Sequence, residues 1–243
     1  MNYMSNNVAD YFLKIAKWLR FIPGAIYFRP WYSKILNSKR KKAIAKNGIK
    51  VLYEFDKVLQ DNNIFYSVYA GTMLGAIREK GFIKHDLDLD TVMFCDDYKP
   101  QNRIHLENAG FKLIRTFLVN DGSLGREETY EKDGVCIDIF YVYKDDAYPT
   151  YLCEFQAIGN CNFYDTMKKY GYVNVRRFEY PIKKEVKRVP FETIEVNILT
   201  NAEEWLSSRY GSDFMIPNPG FKDKKENPHI YMWKNMKGIM YTF

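Results

Sequence analysis

Between Tyr69 and Asp90 the chain reads Tyr-Ala-Gly-Thr-Met-Leu-Gly-Ala-Ile-Arg-Glu-Lys-Gly-Phe-Ile-Lys-His-Asp-Leu-Asp-Leu-Asp. Asp86, Asp88 and Asp90 recur at every second position, with Leu87 and Leu89 between them. On a β-strand, alternate side chains share a face. The pattern therefore predicts a strand with carboxylates on one side and leucines turned into a core. Like charges at this spacing repel, and the row is costly unless a cation sits on it. Hard oxygen ligands on a rigid strand suit Mg²⁺ or Mn²⁺, and protein-bound Mg²⁺ usually accompanies phosphate chemistry.

A second element is Val135-Cys-Ile-Asp-Ile-Phe140, in which Asp138 is a lone carboxylate inside an apolar run. A charge there is expensive unless it is paired or bound to metal. Asp88, Asp90 and Asp138 together make a candidate site for one or two divalent ions that bridge phosphate oxygens. Gly71 and Thr72 supply the other half. Glycine lets a phosphate approach the backbone, and the helix that follows offers free N–H groups. Arg78 and Lys84 can hold further phosphate charge, although Arg78 equally reads as a structural ion-pair partner. His85, an imidazole, is a candidate general base or simply a pocket-lining or surface residue. Asp86 can cap a turn, contact substrate or act as the base.

The chain has 243 residues, 47% hydrophobic and 17% aromatic, enough for one large domain with a sizeable core. A net charge of +6 favours acidic partners such as phosphorylated substrates or an anionic membrane face, and is too small to argue for nucleic acid. Cys95, Cys136, Cys153 and Cys161 show no C-x-x-C spacing and read as thiols of a reducing compartment. No stretch approaches the roughly 20 apolar residues of a spanning helix. Lys14, Lys17 and Arg20 interrupt the N-terminal apolar residues, unlike a signal peptide.

Along the chain, Val8–Arg20 has helical spacing, and residues 1–37 mix basic and aromatic side chains. This extension reads either as an interfacial membrane anchor or as a helix packed on the domain or in a dimer. Ser38–Lys42 is a basic run expected on a solvated face. A helix is expected over Ala43–Asp61, a strand over Ile64–Tyr69, a short helix over Met73–Glu79 and another over Asn102–Ala109. Strands are expected over Phe111–Val119, Glu127–Lys132 and Val135–Tyr143, the last two closed by Asp133-Gly134 as a hairpin. Tyr151–Ile198 reads as strands and loops, and Thr200–Tyr210 as a helix with a capping-box start. The tail from Asp213 reads as irregular, laid over the domain.

Here G-T-x-L-G-x-x-R-x-x-G-F-I followed by D-x-D-x-D resembles the signature of the LicD family, related to fukutin and fukutin-related protein, within the nucleotidyltransferase-fold superfamily. Gly71-Thr72, Asp88, Asp90 and Asp138 match the superfamily pattern. Arg209-Tyr-Gly-Ser-Asp-Phe-Met-Ile-Pro217 is similar to the family's late Y-G-x-D-[YFW]-x-x-P element. The resemblance implies an α/β (α+β type) fold, with a mixed sheet flanked by helices, over residues 38–243. It implies a metal-dependent enzyme that moves a phospho-substituent, such as phosphocholine or a polyol phosphate, from a CDP-linked donor to a saccharide hydroxyl. Mg²⁺ or Mn²⁺ is the implied cofactor. The implied process is cell-surface polysaccharide or glycoconjugate synthesis; the expected location is cytoplasmic, with peripheral membrane contact where the extension is the anchor rather than a packed helix. Lys84-His85-Asp86-Leu87 stands where the family has Pro-Trp-Asp-Asp, which bears on the substrate more than on the metal pair. Tyr210, Gly211 and Pro217 are read as shaping a helix end and loop. The alternative is a true nucleotidyltransferase that releases pyrophosphate. A non-enzymatic nucleic-acid-binding module fits poorly, because an uncompensated acidic triad repels phosphates.

Overall fold

A computed structural model describes residues 29–144, 150–218 and 227–243. The expected Val8–Arg20 helix, and with it most of the extension, lies outside the described residues. The first described helix, α1 (Arg29–Asp61), has 33 residues. It starts well before Ala43 and runs unbroken through positions 37 and 38. Ile44, Val51, Leu52, Phe55 and Leu59 form its buried stripe, at the three- and four-residue spacing of one helix face.

After α1 come β1 (Ser67–Val68), α2 (Ala70–Arg78), β2 (Leu89–Phe94), α3 (Pro100–Asn108), β3 (Lys112–Val119), β4 (Gly125–Lys132) and β5 (Val135–Val142). Then follow β6 (Tyr151–Gln156), α4 (Phe163–Tyr170), β7 (Val173–Glu179), β8 (Val186–Phe191), β9 (Ile194–Leu199), α5 (Ala202–Tyr210) and β10 (Ile230–Thr242). Eight strands form one sheet in the order β1-β2-β5-β4-β3-β10-β7-β6, while β8 and β9 form a separate hairpin. Among the described residues only the β2–β5 pair is parallel. The sheet curls, so that β6 at one end touches β4 and β5. The mixed sheet flanked by helices is the expected class.

Four local expectations are overturned. The aspartate row is not one strand: β2 begins at Leu89, and Asp86 and Asp88 precede it in a turn and bend. The helix after Tyr69 starts at Ala70, so Gly71 and Thr72 lie in its first turn. Residues 163–170 form α4 rather than strand or loop. Its N-terminus is capped by the Asn162 side chain, which accepts a hydrogen bond from the Asp165 N–H, a local polar signal that outweighs the aromatic content. The tail is not merely laid over the domain, because residues 230–242 form β10 between β3 and β7. Gly238 permits this: a Cβ there would sit 2.5 Å from the Phe155 ring.

The loop that carries the aspartates is held at both ends. Gly75 packs on its own downstream chain so closely that a Cβ would meet the Gly81 carbonyl oxygen at 2.4 Å. The β8–β9 turn then grips the loop through Glu192 N–H, which donates to Lys80 O at 2.6 Å. That hairpin is fixed to α1 by Arg188, paired with the buried Asp56 at 2.6 Å.

Candidate active site

β2 and β5 run in parallel with Asp90 opposite Asp138. Strand register therefore brings together two carboxylates 48 positions apart. Asp88 lies two residues earlier, partly buried in the bend before β2. Thr72 is buried, and its hydroxyl accepts from the Asp90 N–H at 2.9 Å. It thus locks the first turn of α2 to the start of β2 and positions Asp90 directly.

Electrostatics follow from this crowding. Burial raises the Asp90 carboxyl well above its ordinary range, and the charges of Asp88, Asp138 and Asp86 raise it further. Asp138 is raised by burial, opposed by Arg115 and by the Thr129 hydroxyl, which donates to Asp138 Oδ1 at 2.5 Å. Asp88 is raised by burial and held down by Arg40 and Arg115. Asp86 is pushed up to about 6 by burial, with His85 pulling the other way.

Asp88 and Asp138 line a polar cavity of about 320 Å³. Four further charged residues line it, none of them singled out in the sequence: Arg40 on α1, Arg115 on β3, Glu127 on β4 and Glu154 on β6. Arg40 comes from the basic run expected to be solvated. Glu127 is buried and faces the same way as Thr129, the residue opposite Asp138. Burial raises its carboxyl well above the usual range, and Asp138 adds to the shift.

A second cavity of about 190 Å³ lies beside α2 and is lined by Gly71, Arg78, His85 and Asp86 from the first motif. Tyr210, Asp213, Phe214, Ile216 and Pro217 of the late motif close it. Tyr210 and Pro217 therefore form cavity wall as well as ending a helix and shaping a loop. Arg78 ties the two motifs together, donating to the Phe214 carbonyl at 3.2 Å and pairing with Glu79 at 2.8 Å. Asp86 stands over Gly71: a Cβ there would be 3.6 Å from both carboxylate oxygens. Lys84 and His85 are exposed, and Lys84 lines neither cavity.

Residues 63–201, more than half of the chain, match the family described as LicD/FKTN/FKRP, nucleotidyltransferase domain. The chain belongs to this family. Among its relatives, the mouse ribitol-5-phosphate transferase FKTN is 27% identical over 187 residues, covering 76% of this chain and 37% of that protein. An uncharacterized Caenorhabditis elegans protein, T07A5.1, is 36% identical over 110 residues, 41% of this chain and 27% of the relative. The lipopolysaccharide cholinephosphotransferase LicD of Haemophilus influenzae is 41% identical over 51 residues, 21% of this chain and 19% of that protein. The chain thus spans well under half the length of these relatives. The LicD-type domain match takes in Gly71, the aspartates and Glu127; Arg40 and the late motif lie outside it.

The carboxylates fit a divalent cation by donor chemistry. Among the described residues, the Asp88 and Asp90 side chains accept no hydrogen bond, leaving hard oxygens with repulsion and no donor. They do not form a closed cage: among the described residues no three His, Cys, Asp or Glu side chains converge as a ready ligand set. Mg²⁺ is commonly held by one or two carboxylates, with waters and substrate phosphates as its other ligands.

Proposed function

We propose that this chain is a metal-dependent LicD-type transferase that moves a phospho-substituent from a CDP-activated donor to a glycan hydroxyl. The observation that carries the reading is the in-register pairing of Asp90 with Asp138, with Asp88 two residues earlier, inside a LicD-type domain. The named relatives, a ribitol-5-phosphate transferase and a cholinephosphotransferase, both move substituted phosphates.

In this reading Asp88, Asp90 and Asp138 hold Mg²⁺ or Mn²⁺. The cation, when bound, neutralises charge on the donor's diphosphate. Thr72 keeps Asp90 in place through its amide. The first turn of α2, at Gly71, receives a phosphate oxygen. Asp86, beside Gly71 and raised to about 6, is placed to take the proton of an acceptor hydroxyl in the same cavity, since a base works best with a pKa near the working pH. Arg78 and His85 shape that cavity. Among the described residues no helix is long and apolar enough to cross a membrane. We place the domain on the cytoplasmic face, with the N-terminal extension as its peripheral contact.

Thermal stabilisation by CDP with and without Mg²⁺ is the first test, followed by CMP release from CDP-linked donors offered with candidate glycans. Metal-dependent stabilisation and CMP release are expected. Pyrophosphate release from CTP instead would favour a true nucleotidyltransferase.

A further inference from the structure

The polar cavity holds four carboxylates, Asp88, Glu127, Asp138 and Glu154, against two guanidinium groups, Arg40 and Arg115. Glu154 is countered from outside the cavity by Arg176 and Arg209, at 3.7 and 3.6 Å, whereas Asp88, Glu127 and Asp138, with Asp90 beside Asp138, outnumber Arg40 and Arg115, an excess of negative charge that a divalent ion offsets.

Arg115 is the unusual member. Its Nη2 lies 3.8 Å from Glu127 Oε1 and 3.8 Å from Asp138 Oδ1. Hydrogen-bonded ion pairs are about 1 Å shorter. Its hydrogen bond goes instead to the neutral Thr129 hydroxyl, at 2.9 Å. The Nε is buried and has no hydrogen-bond partner, a costly state for a charged donor. The group lies over the rings of Phe117 and Phe163, 5.0 and 5.5 Å from their centroids. Aromatic faces hold a guanidinium without fixing its hydrogen bonds. Arg115 is therefore held near two carboxylates by charge while its own donors stay under-used.

We propose that Arg115 is an exchangeable counter-ion: it neutralises Asp138 and Glu127 in the absence of metal, and passes to the donor's diphosphate when a divalent ion takes its place. This rests on the metal-dependent reading above. A cation at Asp138 repels the guanidinium, and a diphosphate offers the planar donors the oxygen pairs they lack. Arg115 would then compete with metal in the empty protein and cooperate with it once donor is bound.

The test uses the full chain, with Mn²⁺ binding read by electron paramagnetic resonance and CDP binding by calorimetry. Arg115→Met keeps an apolar stem against the two rings and removes the charge. Without nucleotide it should bind Mn²⁺ about tenfold more tightly than wild type, since a neighbouring cation opposes charge at the carboxylates. In saturating Mn²⁺ it should bind CDP about tenfold more weakly, having lost a charge-assisted contact. Arg115→Gln is a second neutral variant should the first misfold. Arg115→Lys keeps the charge and should stay within about threefold of wild type for Mn²⁺. Unchanged or weaker Mn²⁺ binding by a folded neutral variant overturns the proposal, as does unchanged CDP binding. Wild-type protein that takes up no Mn²⁺ overturns the metal reading and this inference together, whereas normal wild-type uptake with no Arg115 effect overturns this inference alone.

Discussion

The cavity over β3, β4 and β5 sets four carboxylates and two arginines beside Phe140, Phe155 and Phe163, whereas the more apolar cavity beside α2 sets Leu74, Ile83, Phe214, Ile216 and Pro217 beside Arg78, His85, Asp86 and Asp213. The aspartate row divides between them: Asp86 faces the apolar cavity and Asp88 the charged one. The difference separates two tasks. A charged wall serves any phosphate donor and says little about which one, while an apolar wall of fixed shape discriminates among the groups attached to the phosphate.

If that division holds, substitutions in the two cavities should fail differently. The largest effect belongs to the charged side. Asp90→Asn should lower turnover by at least about a thousandfold, the scale of losing a key electrostatic group. It should leave the melting temperature unchanged or higher, because it relieves repulsion with Asp88 and Asp138. Turnover within tenfold of wild type would remove the carboxylates from the chemistry. On the apolar side, Phe214→Ala should raise KM about tenfold with kcat nearly intact, the pattern of lost uniform binding. A fall in kcat with KM unchanged would merge the two cavities into one catalytic unit.

The smallest effect concerns Asp86, between them. Its folded pKa, about 6, lies above its ordinary value of 3.8. The folded state thus binds this proton more tightly than the unfolded chain. The resulting stability is fully present below about pH 4 and is lost as pH rises through about 6. In metal-free buffer, urea unfolding of Asp86→Asn should lack this decline, a difference on the order of 1–2 kcal/mol after solvent screening. Parallel pH profiles for the two proteins would show that Asp86 is not buried against its neighbours as described.

The acidic centre was legible in the sequence because a lone aspartate in Val135–Phe140 stands out against its apolar neighbours. Its surroundings were not, for different reasons. Glu127 hides beside Glu128 in a polar strand. Yet the Asp133-Gly134 turn sets the register that places Thr129 opposite Asp138, and counting back two residues puts Glu127 on that face. Arg40 looks like any member of a basic run until α1 is seen to extend back past it. Arg115 lies opposite Thr129 in the same cross-strand row as Asp138, but a register shift between Leu113 and Arg115 hides this from the sequence; Glu154 reaches the cavity only because the sheet curls, a global property with no local signal. The tail was misread because β10, although rich in Met and aromatic residues, buries only Gly238 fully and has an irregular register between Met232 and Lys237, so no two-residue period shows.

β10 also sets the order in which the molecule can be finished. Residues 238–242 pair with 115–119 on one side, and residues 230–238 pair with 173–178 on the other. Until residues 230–242 have left the ribosome, β3 and β7 have no strand between them, and the arch that brings β6 over β4 and β5 cannot close. Glu154 reaches the charged cavity from β6. The wall of the charged cavity is thus completed only after β10 has emerged, by contacts of long sequence separation, which form slowly.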